Sequence, residues 1–196
     1  MNANLLKALC ALPCLLALPA GAAAQGLAGG TEREPTVMVE ARGGMNVPTF
    51  DIADAVDAGP SFGVGAAVRV APRVYLLGDV DLGFHSGSTL AGGGSGPDVN
   101  VYHYMAKLGY DLVPPSDSRW SLLVNAGAGA LTFDVDGAES HTYPAINVGA
   151  KLGYRLTPSL SLVLSPQGDI AFSKEAELGT SNAWVWPFTA GIRAAF

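Results

Sequence analysis

The stretch WVWPFTAGIRAAF, residues 184–196, puts Trp184, Trp186, Phe188, Ala190, Ile192, Ala194 and Phe196 at every second position. Between them stand Val185, Pro187, Thr189, Gly191, Arg193 and Ala195. A repeat of two sends alternate side chains to opposite faces of a β-strand. One face of this strand is therefore aromatic and aliphatic throughout, and its single charge, Arg193, lies on the other. A face of that kind needs a large apolar partner or a solvent that is itself apolar.

Composition narrows the choice. The chain has 196 residues, of which 49% are hydrophobic and only 14% charged, with 25 glycines. Soluble domains carry about a quarter of charged residues. A formal net charge of −6 argues against a nucleic-acid partner, which would call for a basic stripe. Residues 1–24 read as a cleaved export signal: a lone Lys7, an apolar run from Ala8 to Ala20, and Ala22-Ala23-Ala24 ahead of a cut near Gln25. Pro13 and Pro19 break that run, which is too short for a helical membrane span. Both cysteines, Cys10 and Cys14, fall inside the signal, so the mature chain has none. Residues 25–35 read as a linker and residues 36–196 as the folded domain.

That domain has no helical period. It alternates instead, in segments of about ten residues separated by turn chemistry. Eight strands are expected, at 36–42, 60–71, 73–85, 99–112, 119–133, 145–156, 159–172 and 183–196. The separators at 70–74, 113–120 and 156–160 are short and rich in proline. Those at 43–59, 86–98, 134–143 and 173–182 are longer. Pro72, Pro115 and Pro158 recur 43 residues apart, and KLGYDLVP at 107–114 is echoed by KLGYRLTP at 151–158. A fixed period marks a repeated unit, here a hairpin with its outer loop.

In each strand one register gathers the apolar residues: Phe62, Val64, Val68 and Val70; Leu76, Val80 and Leu82; Tyr104, Leu108 and Tyr110; Trp120, Leu122 and Val124; Ile146, Val148 and Leu152; Leu160, Leu162 and Leu164. The strand charges all fall on the opposite face: Glu40, Arg42, Arg69, Arg73, Asp79, Asp81, Lys107, Asp111, Lys151, Arg155, Asp169 and Arg193. A soluble barrel would turn the apolar face inward, whereas a barrel in lipid turns it outward. Three features favour lipid. Aromatic residues occupy both rims of the apolar face, as rings do at two membrane interfaces. The charged face is rich in glycine, which would weaken a solvated sheet but leaves room for long side chains in a narrow interior. Short and long connections alternate, as in outer-membrane barrels.

On these residues the chain resembles the small eight-stranded outer-membrane proteins, the OmpA/OmpX-like and opacity-protein-like barrel superfamily. The resemblance covers about 36–196. It implies an all-β, antiparallel up-and-down transmembrane barrel in a bacterial outer membrane, bathed in outer-membrane lipid and monomeric. It further implies that the barrel-assembly machinery reads the last strand, which ends GIRAAF at Phe196. Pro166 and Pro187 sit inside expected strands of a wall with no free edge, so bulges or strand ends are expected there.

The interior charges nearly balance, which fits a plug of ion pairs in a closed barrel; a narrow conducting pore is the alternative. His85 and His103 face inward on neighbouring strands near Asp81, a weak metal constellation. His141 falls in a loop. Asp51, Asp54 and Asp57 recur every three residues, on one side of a short helical turn, without the glycine and glutamate of a calcium loop. His85-Ser86 and Ser140-His141 lack an evident third partner, and the apolar wall offers little polar chemistry beyond Thr132. No catalytic residue, metal ligand or cofactor is therefore assigned. The functional expectation is a non-enzymatic surface or envelope protein with exposed loops for interaction or adhesion. The alternatives are a small pore or a route for small or apolar solutes, a lipid-modifying enzyme, and, at the level of fold, a soluble secreted barrel.

Overall fold

The computed structural model describes residues 35–88, 95–113 and 118–196. The expected export signal and nearly all of the linker lie outside the described residues. Eight strands follow in order: β1 (Val37–Thr49), β2 (Gly59–Ala71), β3 (Val74–His85), β4 (Val99–Asp111), β5 (Trp120–Val135), β6 (His141–Thr157), β7 (Leu160–Ala171) and β8 (Ala183–Ala195). A 3-10 turn at Phe50–Asp54 follows β1, and a short helix α1 (Glu175–Leu178) precedes β8. Each strand pairs antiparallel with the next, and β8 returns to β1 through Glu40↔Arg193 and Ala41↔Ile192. The result is a closed eight-stranded up-and-down barrel. Closure leaves no edge on which backbone groups lack a partner.

The wall is oriented as the alternation requires. Phe62 is 60% exposed, Leu108 61% and Ile192 54%, while Lys107 is 2% and Arg193 4%. Apolar side chains point away from the barrel axis and charges point into it. Phe188, Trp120 and Phe196 belong to the same outward set. Two glycines show how the interior accommodates its cargo. A Cβ on Gly63 would collide with the Asp81 carboxylate, and one on Gly65 would meet Asp79 Oδ1 and, at 3.0 Å, Arg42 Nη1.

The structure departs from expectation in three places. First, β6 begins at His141, so that residue, expected in a loop, pairs with Phe133 in the strand. Second, β1 runs on to Thr49, seven residues past its expected end, although Gly43-Gly44 and Pro48 resemble turn chemistry. That extension pairs along its whole length with β8, up to Thr49↔Trp184. Third, Pro166 and Pro187 cause no bulge. Register is unchanged across both, and among the described residues the only register shifts lie beside the short turns, at Arg69/Ala71 and Arg155/Thr157.

The prolines interrupt the ladder instead. Pairing of β6 with β7 lapses at Ala150 and Lys151, and pairing of β7 with β8 lapses at Gln167 and Gly168. Phe172 N–H donates to the Pro144 carbonyl across β6 and β7. Alternation along the ladder puts Ala150 and Pro166 at another hydrogen-bonding position, from which proline withholds its donor. Gln167 Nε2 supplies the substitute, donating to the Ala150 carbonyl at 3.0 Å. On the outer side, the Trp186 ring lies over Gly168, where a Cβ would come within 2.7 Å of it.

Candidate functional site

The lumen is layered. Towards the long loops it holds an apolar cluster, with Val99, Val101, Met105, Leu131, Phe133, Tyr143 and Val185 packed on Ile52 and Val56 from the first loop. Towards the short turns Met38, Ala67, Tyr75, Leu77 and Leu123 form a second apolar cluster. Between them lies an ionic layer.

Arg42 is its hub. Nη1 lies 2.5 Å from Glu40 Oε2 and 3.0 Å from Asp79 Oδ1, and Nη2 lies 3.0 Å from Asp81 Oδ1. Lys151 reaches across the lumen from β6 to Glu40 on β1 and Asp79 on β3, both at 2.9 Å. Lys107 Nζ stands 2.8 Å from Asp79 Oδ2, an ion-pair contact without hydrogen-bond alignment, and donates to Gln167 Oε1 at 3.0 Å. Arg193 Nε meets Glu40 Oε1 at 2.7 Å. Three carboxylates and four cations thus neutralise one another where neither could remain ionised alone.

A second buried group sits beside this layer. His103 Nδ1 is 2.7 Å from Asp169 Oδ2, and its Nε2 is 2.9 Å from Asn46 Nδ2. With Asn46 Nδ2 as donor, the imidazole accepts at Nε2 and donates its Nδ1–H to Asp169. Asn147 Nδ2 holds the other Asp169 oxygen at 2.6 Å. Asp81 faces His103 across the strands but binds Arg42 instead. His85 Nδ1 is 2.8 Å from the Asp57 carbonyl oxygen. The two inward histidines therefore serve different partners. Among the described residues, no three His, Asp or Glu side chains converge as a metal cage would require.

The aspartates of the first loop also diverge. The 3-10 turn forms where the three-residue spacing suggests, but Asp51 accepts from Thr180 Oγ1 and Asp57 from Ser88 Oγ, each at 3.2 Å. These bonds tie the first loop to its neighbours and hold Ile52 and Val56 in the barrel mouth. Phe50 packs edge-on against Trp184 at 5.4 Å. In the last long loop Glu177 of α1 accepts from Tyr143 OH at 2.9 Å and Lys174 Nζ at 3.0 Å, with His141 Nδ1 3.6 Å away. These two bonds hold the exposed Glu177 carboxyl below its ordinary value. On the outer wall Thr132 bonds to Thr142 at 2.8 Å. Ser140 donates to Asp134, away from the His141 ring. The acids of the long loops, among them Asp54, Asp136, Glu139 and Glu175, give that end a negative surface.

A closed wall that is apolar outside and ionic within defines a membrane-spanning β-barrel protein. The chain belongs to the family of the outer membrane protein beta-barrel domain, which matches residues 10–195. That family places it among outer-membrane barrels. A comparison with curated proteins gave no match. Among solved structures it is similar to Neisserial surface protein A, with a TM-score of 0.65 and 17% identity over 86% of this chain and 100% of that one. It is similar also to the outer membrane protein OprG from Pseudomonas aeruginosa, with a TM-score of 0.63 and 13% identity over 85% and 99%. The N-terminal barrel domain of Pseudomonas aeruginosa OprF follows at 0.53 and 16% over 83% and 98%. At such identities the likeness concerns the fold.

Proposed function

We propose that this chain is a sealed, non-enzymatic outer-membrane barrel, with a role as an envelope or surface protein that presents its long loops outside the cell. The observation that carries the reading is the crossing of the lumen by Lys151, Glu40, Asp79 and Arg42, with an apolar layer above and another below. A layer of mutually neutralised charges resists hydration of single ions and leaves no continuous water column. The outward apolar wall faces outer-membrane lipid, and the long loops face out, as is usual for such barrels. Their acidic surface disfavours polyanions and favours partners with a basic face. Both inward histidines are engaged with Asp169, Asn46 and the Asp57 carbonyl, which supports a non-catalytic role. The barrel-assembly machinery, reading β8 up to Phe196, is the partner proposed for insertion, and the inserted barrel is proposed to be a monomer. In planar bilayers the purified barrel is expected to be silent. Reproducible unitary conductance from the unaltered chain would defeat the sealed reading.

One set of observations favours a second reading, a route for small apolar solutes. The outer half of the lumen holds an apolar cluster, and the ladder of β7 is interrupted on both sides. Proteoliposomes holding the barrel would then take up an apolar fluorescent probe faster than empty ones. Equal uptake ends that reading.

A further inference from the structure

The short-turn end of the barrel holds a cavity of about 190 Å³. Its lining includes Arg119, Arg155 and Arg193 alongside Asp111. Arg155, Ser161 and Arg193 form one row across β6, β7 and β8 on the inward face, as cross-strand partners Arg155↔Ser161 and Ser161↔Arg193. All three line the cavity, together with Arg119 and Ser121.

The state of these groups points to a ligand. Arg193 is 4% exposed; its Nε is committed to Glu40, but its Nη2 has no hydrogen-bond partner. A buried guanidinium N–H left unpaired is costly. Arg155 is held at the wall by donating to the Ser118 carbonyl at 3.2 Å. Arg119 is exposed, and no side-chain partner holds it among the described residues. Two acceptors of the cavity wall are already engaged. Asp111 Oδ1 receives the Val113 and Leu122 amides, at 3.0 and 3.2 Å, and the Phe196 main-chain oxygen receives those of Thr36 and Val37. Arg193 thus keeps an unpaired buried donor beside a concave space that two further guanidiniums line.

We propose that this cavity is an oxyanion site for a phosphate group. Arg155 and Arg193 flank the tetrahedral group, the Ser161 hydroxyl sits between them, and Arg119 closes on it from the mouth. Guanidinium forks bond an oxyanion through paired N–H groups. A phosphate also offers more acceptor oxygens than a carboxylate to a set of two or three guanidiniums and two hydroxyls. The group has two sources at this side of the membrane, free phosphate and the phosphodiester of a phospholipid headgroup. The site is independent of whether the barrel conducts.

The test uses the barrel refolded in uncharged detergent. Trp184→Phe and Trp186→Phe leave Trp120, which lines the cavity, as the only indole of the three in the chain. Inorganic phosphate is titrated at constant ionic strength against chloride, with a short-chain phosphatidylglycerol in a parallel arm. A saturable change in Trp120 fluorescence is expected in at least one arm, and the responding arm names the source. Arg119→Ala, at an exposed position, should weaken it about tenfold, as should Ser161→Ala, since each removes a bond to a charged group. Phosphorus NMR line broadening on the chain with all its tryptophans gives a second readout that does not depend on the indole substitutions. No saturable response beyond chloride in either arm overturns the proposal. Affinity unchanged in both Arg119→Ala and Ser161→Ala overturns it equally.

Discussion

Gln167 Nε2 donates to the carbonyl oxygen of Ala150 at 3.0 Å, filling the place of the N–H that Pro166 lacks. A side chain here completes a ladder that the backbone cannot. Gln167→Ala should leave that part-buried carbonyl unpaired and deprive Lys107 Nζ of an acceptor. The cost is about 1–3 kcal/mol, read as a lower urea midpoint of the refolded barrel in micelles. Adding Pro166→Ala returns a backbone donor and should recover part of the loss. A double variant no more stable than Gln167→Ala alone contradicts this account of the pair.

Arg42→Met removes the only cation bound to Asp81 among the described residues. An isolated buried carboxylate costs about 3–5 kcal/mol when its partner is lost. The variant should keep its heat-modifiable gel mobility only at lower temperature than the parent. Asp81→Asn in the same chain should restore some of the difference, because the uncompensated charge is gone. Additive losses in the double variant would show that the two residues do not act on each other.

Gly168 lies beneath the Trp186 ring, whose Nε1 donates to Thr49 Oγ1 at 3.1 Å. Gly168→Val must push the ring aside and strain that bond between β8 and β1. Overpacking of this kind costs about 1–3 kcal/mol. The variant should show altered tryptophan fluorescence together with a lower urea midpoint; Gly168→Ala should show less of both.

Glu177 is the loop group whose titration reports on structure. Its carboxyl lies below the ordinary value because Lys174 and Tyr143 bond the charged form. A carboxyl depressed in the folded state contributes stability that is present above its unfolded value and lost as pH falls through the folded one. Lowering pH from about 5 towards 3 should therefore release α1 from Tyr143, seen as faster amide exchange at residues 175–179. In Glu177→Gln that acid-dependent step should vanish. Its persistence would place the cause elsewhere in the loop.

The strand registers were readable from sequence because charge and bulk sort cleanly along every strand. Apart from Arg73 in the β2–β3 turn, whose guanidinium lies over the ring of the outward Tyr110, the charged set from Glu40 to Arg193 stays off the outer wall. The two apolar layers inside the lumen were not readable. Leu77 and Leu123, like Val101, Phe133 and Val185, lie on the charged face, and periodicity cannot separate an apolar residue that caps a lumen from one that faces lipid. The outer half of β1 was missed because Gly43-Gly44 and Pro48 carry turn chemistry, while its strand character comes from pairing with β8, distant in sequence. The prolines were flagged correctly as a problem, but the remedy lay in the neighbouring Gln167, which no local rule identifies. The partner of each lumen charge was likewise hidden, since Lys151–Glu40 and Arg193–Glu40 join residues more than a hundred positions apart.

The most direct check is an NMR measurement on the barrel in nanodiscs whose lipids carry a paramagnetic label in mid-acyl chain. Side-chain methyl signals of Val64, Leu108 and Ile192 should broaden strongly, while those of Leu77, Leu123 and Val101 stay sharp. Broadening of the second set with protection of the first would mean that the wall is turned the other way, and the account would be wrong at its root.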